Sequence, residues 1–147
     1  MNTYAAHDKI YTKDKLIAAQ QQLKSMIMNI VSAAKATNKT TVYLITGGNG
    51  DPVNGSFMHL FDKNTCDGVK FVVAHVENVR DNGVPDDAYT VVCVDSWGLD
   101  DTLAVELSFD AVDGFDAALV LRSSGVWGMY SVLVFDLVAN VVDELCG

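Results

Sequence analysis

The sequence predicts an α+β fold: a long N-terminal helix packed on a mainly antiparallel β-meander of about six strands, with a C-terminal helix. Three observations predict it. Apolar residues recur at helical spacing between residues 12 and 38, and short runs rich in β-branched residues follow from Thr40 onward. Turn residues separate these runs, with no crossover helix between them, so neighbouring strands are expected to pair antiparallel. A chain of 147 residues fits a single domain, 1–147.

The first helix has a start signal and an end signal. Thr12 is a suitable N-cap, and Asp14 lies in the first turn, where a negative charge suits the helix dipole. Lys35 suits the last turn, and the helix is predicted to end near Thr37-Asn38. One apolar stripe of this width is typical of a helix that packs on a sheet. It consists of Leu16, Ile17, Leu23, Met26, Ile27, Ile30, Val31 and Ala34.

Six strands are predicted from composition, alternation and turn residues. A turn over residues 63–68 would join the second and third strands as a hairpin in which Asp62 faces Val69. That register puts His59 and His75 on opposite faces, so they would not share a metal ion. The predicted strands cover residues 40–46, 56–62, 69–80, 89–97, 102–109 and 117–122.

The C-terminal stretch fits two structures. Its apolar residues recur at helical spacing, which favours a helix from about Ser131, but the valine-rich half over residues 129–138 would also suit a buried strand. The longest apolar run, residues 132–142, is interrupted by Asp136 and Asn140 and is too short to span a membrane. We therefore expect no membrane association.

The cysteines and the N-terminal residues predict a cytoplasmic protein. Cys66, Cys93 and Cys146 are odd in number and widely spaced, which is typical neither of a disulfide framework nor of a zinc site. The first nine residues lack the apolar core of a signal peptide. A mean hydropathy of +0.19 is high enough that we expect apolar surface to remain for a second copy of the chain, and hence a homo-oligomer.

Charge is distributed unevenly along the chain. Residues 1–39 hold six lysines and two acids, whereas residues 40–147 hold four basic and seventeen acidic side chains. Such an acidic surface repels nucleic acid and attracts basic proteins. We expect it to bind a partner through Asp86, Asp87, Asp100, Asp101, Asp110, Asp113 and Asp116. Because aspartate and glycine also favour tight turns, many of these acids are equally explained as exposed turn residues.

A glycine-rich stretch follows the first predicted strand and is a possible ligand loop, since such loops can bind phosphate through backbone N–H groups. It lacks the Gly-Lys-Ser/Thr ending of the phosphate loop of nucleotide hydrolases, and a mobile connection is the simpler interpretation. The residues concerned are Gly47, Gly48, Asn49, Gly50, Asp51 and Asn54.

The remaining candidates for a metal-binding or catalytic role are three aspartates near Gly114, Asp95 and Cys93. Asp110, Asp113 and Asp116 lack the spacing of a helix–loop–helix calcium site. Asp95 shares a strand face with apolar residues and would make an acid or base if it were buried, but a strand-end position in contact with water is simpler. Cys93, in mid-strand, is expected to be a buried small hydrophobe. No catalytic, metal or cofactor motif is present, which favours a non-catalytic protein without a cofactor.

Three functions are compatible with the sequence. The first is an acidic protein-binding module or inhibitor that engages a basic partner, for example by nucleic-acid mimicry, as in the anti-restriction or anti-CRISPR strategies of phages and mobile elements. The second is a structural subunit of a homo-oligomer or virion, using exposed sheet edges. The third is a small-ligand or nucleotide-binding protein or enzyme that uses the loop 47–55. We expect no direct binding of nucleic acid.

Overall fold

The computed structural model describes residues 12–46, 58–97, 103–110, 114–123 and 127–146. In chain order its elements are α1 (Lys13–Ala36), β1 (Thr41–Thr46), a 3-10 helix (His59–Phe61), β2 (Thr65–Cys66), β3 (Val69–His75), α2 (Val76–Asn82), β4 (Ala88–Trp97), β5 (Leu103–Ser108), β6 (Ala117–Ser123) and α3 (Trp127–Cys146).

Helix α1 begins and ends where its sequence predicts. Thr12 is the N-cap, and its Oγ1 accepts a hydrogen bond from the Lys15 backbone N–H (3.2 Å). The helix stops at Ala36, and Asn38 then takes a positive φ of 59°. The buried residues are Ala19, Leu23, Ile27, Ile30, Val31 and Ala34.

One residue of the predicted stripe of α1 is on the wrong side of the helix. Ile17 is 47% exposed, whereas Ala19 is fully buried. Two residues correspond to roughly 200° around an α-helix, so burial of position 19 turns position 17 toward solvent. The neighbouring Leu16 does pack against the core.

The six strands form one mixed sheet in the order β2-β3-β1-β4-β6-β5. The four central strands, β3, β1, β4 and β6, run parallel, and only the two edge strands, β2 and β5, are antiparallel to their neighbours. The α+β class and the N-terminal helix are therefore confirmed, but the predicted antiparallel meander is wrong. We call the two ends of the parallel strands the amino edge and the carboxyl edge of the sheet.

The meander fails because two connections are crossovers. Parallel strands need a connection of a dozen or more residues, and the chain supplies one between β1 and β3 and another between β3 and β4. The second contains α2. The first five residues of this helix lie in the predicted strand over residues 69–80, so that part of the strand prediction is wrong. His75 caps the helix by accepting from the Glu77 N–H (3.2 Å), and Gly83 ends it at a φ of 72°.

The second predicted strand and its hairpin are also wrong. Within the described part of residues 56–62 the chain forms the 3-10 helix His59–Phe61 instead of a strand. The hairpin lies further on: β2 pairs Cys66 with Val69, so Asp62 does not face Val69. Its turn, Asp67-Gly68, has positive φ at both residues (50° and 82°), as tight hairpin turns of this kind require.

The core lies between one face of the sheet and the helices α1 and α3. On this face Val42, Leu44 and Val91 are fully buried, and the strands pack with the apolar residues of both helices. The rings of Phe61 and Phe71 are 5.6 Å apart and close the end near β3. On the opposite face, Tyr43, Val72, Val94 and Val120 are partly exposed. In the described part of the chain, no helix is long and apolar enough to cross a membrane.

Helix α3 confirms the predicted C-terminal helix, with Leu137, Val138 and Val141 buried. Its carboxyl end is linked to the β2–β3 hairpin by a Cys66–Cys146 disulfide, with 4.5 Å between the Cα atoms. The expectation that the cysteines form no disulfide is therefore wrong. The two residues are 80 positions apart, and only the packing of α3 beside β2 brings them together. Cys93 is buried in mid-strand, as expected.

Candidate functional site

Four of the predicted acidic residues are described, and all four are exposed at the amino edge of the sheet. Asp86 and Asp87 come directly before β4, and Asp116 comes directly before β6. Asp110 follows β5, whose last residue pairs with Ala118 near the start of β6. The strand order thus gathers side chains that are up to 30 positions apart in sequence. We call these four residues the acidic edge.

Asp116 has a structural bond as well as an exposed position. Its Oδ2 accepts hydrogen bonds from the Thr90 backbone N–H (2.9 Å) and the Thr90 Oγ1 hydroxyl (3.0 Å). In return, the Asp116 N–H donates to Thr90 Oγ1 (3.0 Å) and to the Thr90 carbonyl (3.0 Å). These bonds hold the start of β6 against the start of β4.

The Asp116 carboxylate also affects a buried tyrosine. Tyr89 is buried on the helix-facing side of β4, and burial is the main reason why its pKa is raised above the usual value. The negative charge of Asp116 raises the pKa further, because a second negative charge nearby is unfavourable. Tyr89 therefore stays neutral at physiological pH.

Lysines of α1 and of the residues after it meet part of the acidic charge. Lys35 pairs with Asp67 (2.7 Å), Lys24 pairs with Glu144 of α3, and the Lys39 ammonium donates to the Asp86 carbonyl. None of these three contacts uses a carboxylate of the acidic edge. The Lys39 ammonium nevertheless lies beside Asp86, so one positive charge adjoins the acidic edge.

The remaining predicted acids, Asp100, Asp101 and Asp113, lie outside the described residues. The connection that contains Asp100 and Asp101 leaves β4 at Trp97 and enters β5 at Leu103. Both of these residues pair with Ser123 in register, so the connection starts and ends at the carboxyl edge. Trp97 and Leu103, the described residues on either side of this connection, thus lie at the opposite end of the strands from the acidic edge.

The proposed ligand loop leaves the carboxyl edge at the centre of the sheet. Its residues Gly47, Gly48, Asn49, Gly50, Asp51 and Asn54 lie outside the described part of the chain, but the strand that precedes them is β1, between β3 and β4. From β1 the chain goes first to one side, to β3, and then across to the other side, to β4. Such a reversal point is where open parallel sheets bind ligands, beyond the carboxyl ends of the strands.

Several polar residues end the strands around that point. Thr46 ends β1 and is buried, with its Oγ1 donating to the Ala74 carbonyl (3.4 Å). His75 ends β3 in register with Thr46, and its Nδ1 is occupied in capping α2. Asp95 lies near the end of β4, paired with Leu121 of β6, and its side chain is outside the described part.

Groups of metal-binding residues do not occur within the described ranges of the chain. The predicted placement of His59 and His75 on opposite strand faces is wrong, because His59 lies in the 3-10 helix and His75 is the N-cap of α2. Both histidines are exposed. Cys93, by contrast, is buried in the middle of β4.

A side chain bonds one outward-facing backbone N–H group on each lateral side of the sheet, where the structural-subunit hypothesis predicts exposed strand edges. At β5, the Val105 backbone N–H donates to Gln22 Oε1 of α1 (2.9 Å). On the other side, the Val73 N–H of β3 donates to Asp62 Oδ1 (2.8 Å). Polar side chains on edge N–H groups prevent another strand from pairing there.

The roles of Gln22, Asp62 and Asp116 were missed from the sequence. Each bonds a backbone group 11 to 83 positions away. Sequence spacing predicts caps and turns within a few residues and has no equivalent for such distant pairs.

Comparison with protein-family models, with curated proteins and with solved structures finds no match for this chain.

Proposed function

We propose that this protein is a non-catalytic binding module whose acidic edge engages a basic protein partner. The proposal depends above all on one observation, which is that four exposed aspartates lie at one end of the sheet. A carboxylate-rich surface speeds association with a basic surface and discourages other partners. A groove that normally holds nucleic acid is the kind of basic surface that matches it, so inhibition by nucleic-acid mimicry follows from the same proposal.

The charge of the whole chain supports the same role. The formal net charge is −9 at pH 7, and the basic residues are concentrated in the first 39 positions. Asp86, Asp87 and Asp110 have no described ion pair, so their carboxylates are available to a partner. Exposed pairs of this kind contribute to the rate of encounter more than to the affinity.

The test compares two variants of equal charge. The edge variant carries Asp86→Asn, Asp87→Asn and Asp110→Asn, and leaves Asp116 intact because it is bonded to Thr90. The control variant neutralises three other exposed acids by Asp81→Asn, Asp136→Asn and Asp143→Asn. Wild type and both variants are immobilised and exposed to proteins from the native host, and the bound proteins are eluted with rising salt.

We expect a basic protein to bind wild type and the control variant but not the edge variant. Rising salt should elute this protein, because salt screens the charges. At 1 M salt the Debye length is only about 3 Å, so an interaction between exposed charges does not survive there. Duplex DNA should displace the same protein if its nucleic-acid groove is the contact. Equal binding to the two variants, or retention at high salt, would contradict the proposal.

A second candidate function is supported by one observation, the reversal of strand order at β1. In this alternative the loop 47–55 and the strand ends around it bind a small anionic ligand such as a nucleotide. Thr46, His75 and Ser96 lie at the carboxyl edge next to this point. Their position is a reason to test nucleotides before other ligands.

The test of the second candidate is a thermal-shift screen with nucleoside phosphates and dinucleotides, followed by NMR titration of any hit. A ligand at this site should raise the melting temperature and move the amide signals of Thr46, His75 and Ser96. The signals of Asp87 and Asp110, at the other edge of the sheet, should stay in place. If no compound raises the melting temperature, this candidate is ruled out and the acidic edge is favoured.

We retain a homo-oligomer or virion subunit as a prediction, with a restriction on its geometry. The bonds from Val105 to Gln22 and from Val73 to Asp62 oppose edge-to-edge pairing of sheets. The partly exposed face with Tyr43 and Val120 remains the surface for a second copy. Size-exclusion chromatography at high concentration tests it, and a monomer there would remove it.

A cytoplasmic location also stays a prediction, and the disulfide counts against it. Disulfides persist in oxidising compartments and are rare in reducing ones. Lysis of host cells directly into denaturant that contains an alkylating reagent, which makes the buried Cys66 and Cys93 accessible, followed by mass measurement of the protein, decides between them. Three alkylated cysteines support the cytoplasm, and a single alkylated cysteine supports an oxidising compartment.

A further inference from the structure

We propose that the Cys66–Cys146 disulfide is a protected latch, which fastens the carboxyl end of α3 and can be reduced by thiols only when the packing around the intact bond loosens. The bond joins two distant parts of the chain, the β2–β3 hairpin and the last turn of α3. The 4.5 Å between their Cα atoms lies within the usual range for disulfides.

The two cysteine residues differ in exposure. Cys66 is fully buried in the core, whereas Cys146 is partly exposed. A thiolate reductant from solvent therefore reaches the Cys146 sulfur first. Its attack forms a mixed disulfide with Cys146 and expels Cys66 as a thiolate inside the core.

That expulsion is unfavourable, because an apolar environment raises the pKa of a thiol and makes its thiolate a poor leaving group. The complete reaction needs a second reductant thiolate, which attacks the mixed disulfide, releases Cys146 as a thiolate and forms the oxidised reductant. Two electrons pass from two small thiols to the protein disulfide, and the two protein thiolates take protons from water. While the folded structure holds Cys66 in place, the first step reverses easily.

The last turn of α3 controls access to the latch. Besides the disulfide, it is held by the ion pair between Glu144 and Lys24 of α1, and one turn earlier by a hydrogen bond from the Asn140 side chain to Gln20 (3.3 Å). When these non-covalent contacts break, the last turn can move together with the intact disulfide, and water reaches Cys66, so the thiolate expelled from it is no longer buried. Reduction should therefore follow the local opening of α3.

The first measurement is the redox state of protein purified without reductant and unfolded in denaturant. One thiol, that of Cys93, is expected to react with a thiol reagent in denaturant, and three reactive thiols would overturn the proposal. Closing a loop of 80 residues is expected to raise the melting temperature by on the order of 10 °C. Oxidised and fully reduced wild type are compared for this, and Cys66→Ser/Cys146→Ser should match the reduced form. Equal melting temperatures of the oxidised and reduced wild type would overturn it.

The second measurement is the rate of reduction by dithiothreitol under native conditions. It should be much slower than the reduction of oxidised glutathione and should rise steeply in sub-denaturing urea. Glu144→Gln loosens the last turn and should speed reduction by about two-fold, the range of an exposed ion pair. The matched control Glu106→Gln breaks the distant pair with Arg122 and should leave the rate unchanged. A fast rate that is insensitive to urea would overturn the protection.

Discussion

At the scale of single residues, the Asp116–Thr90 cluster is the most densely bonded point of the acidic edge. Four hydrogen bonds join the two residues, and three of them use a side-chain atom. The same aspartate is thus both part of the proposed binding surface and a clamp between β4 and β6. A variant that removes it mixes the two roles, which is why the binding test above leaves it in place.

The clamp has a measurable contribution to stability. Asp116→Ala leaves the Thr90 N–H without its partner, and we expect a loss of about 1–3 kcal/mol in the free energy of unfolding. Urea denaturation measures this. The control Asp87→Ala removes an exposed carboxylate on the same edge and should change the stability by less than about 0.5 kcal/mol. Equal effects of the two variants would contradict the clamp.

Tyr89 makes stability depend on alkaline pH. Its pKa is raised in the folded protein, by burial first and by Asp116 second, so the folded state holds its proton more tightly than the unfolded state. This stability is fully present below the unfolded pKa of about 10 and is lost as the pH rises through the folded pKa. Urea denaturation between pH 9 and 11 should show a steeper decline for wild type than for Tyr89→Phe. Parallel declines would show that Tyr89 contributes nothing.

At the scale of elements, α1 has three tasks. Its apolar side covers the sheet, its lysines pair with acids of the β2–β3 turn and of α3, and Gln22 caps the edge strand β5. The last task explains why a polar residue lies close to the sheet. The capped N–H of Val105 belongs to a buried residue, and without Gln22 it would be left for another strand.

The edge cap predicts a difference between two adjacent glutamines. Gln22→Ala removes the acceptor of the Val105 N–H, so we expect a loss of about 1 kcal/mol in unfolding free energy and faster aggregation on concentration. Urea denaturation and light scattering measure the two effects. Gln21→Ala alters an exposed residue of the same helix and should change neither. If both variants aggregate alike, loss of the cap is not the cause.

At the scale of the whole molecule, charge and topology act together. The chain carries a net charge of −9, and the strand order collects four exposed acids at one end. The disulfide joins α3 to the β2–β3 hairpin, whose turn lies at the same amino edge of the sheet. Repulsion among the acids should therefore lower stability most at low ionic strength.

This repulsion can be measured through salt. Raising NaCl from 0.01 to 0.1 M shortens the Debye length from about 30 to about 10 Å, so we expect the urea midpoint of wild type to rise. The edge variant has three fewer negative charges and should gain less. A fall of the midpoint with salt would mean that the pairs Lys24–Glu144, Lys35–Asp67 and Arg122–Glu106 outweigh the repulsion.

Features that depend on residues a few positions apart can be predicted from the amino-acid sequence alone. Thr12 and Asp14 mark the start of α1, the alternation of Leu103, Val105 and Leu107 marks β5, and helical spacing marks α3. Capping bonds and periodic burial involve residues only a few positions apart, so they can be predicted from the order of amino acids. The acidic composition, and with it the proposed class of partner, also follows from the sequence alone.

The strand order, the disulfide and the position of the acidic edge depend on tertiary packing, and local sequence patterns do not predict them. Val76 and Val79 extend the valine-rich pattern of β3, so the sequence predicts strand where the capped helix α2 lies and does not predict the crossover. Cys66 and Cys146 meet across 80 positions, and Asp110 and Asp116 reach the edge that holds Asp87 because β5 and β6 follow β4 in the sheet. Such contacts depend on the packing of the whole chain, which local spacing does not record.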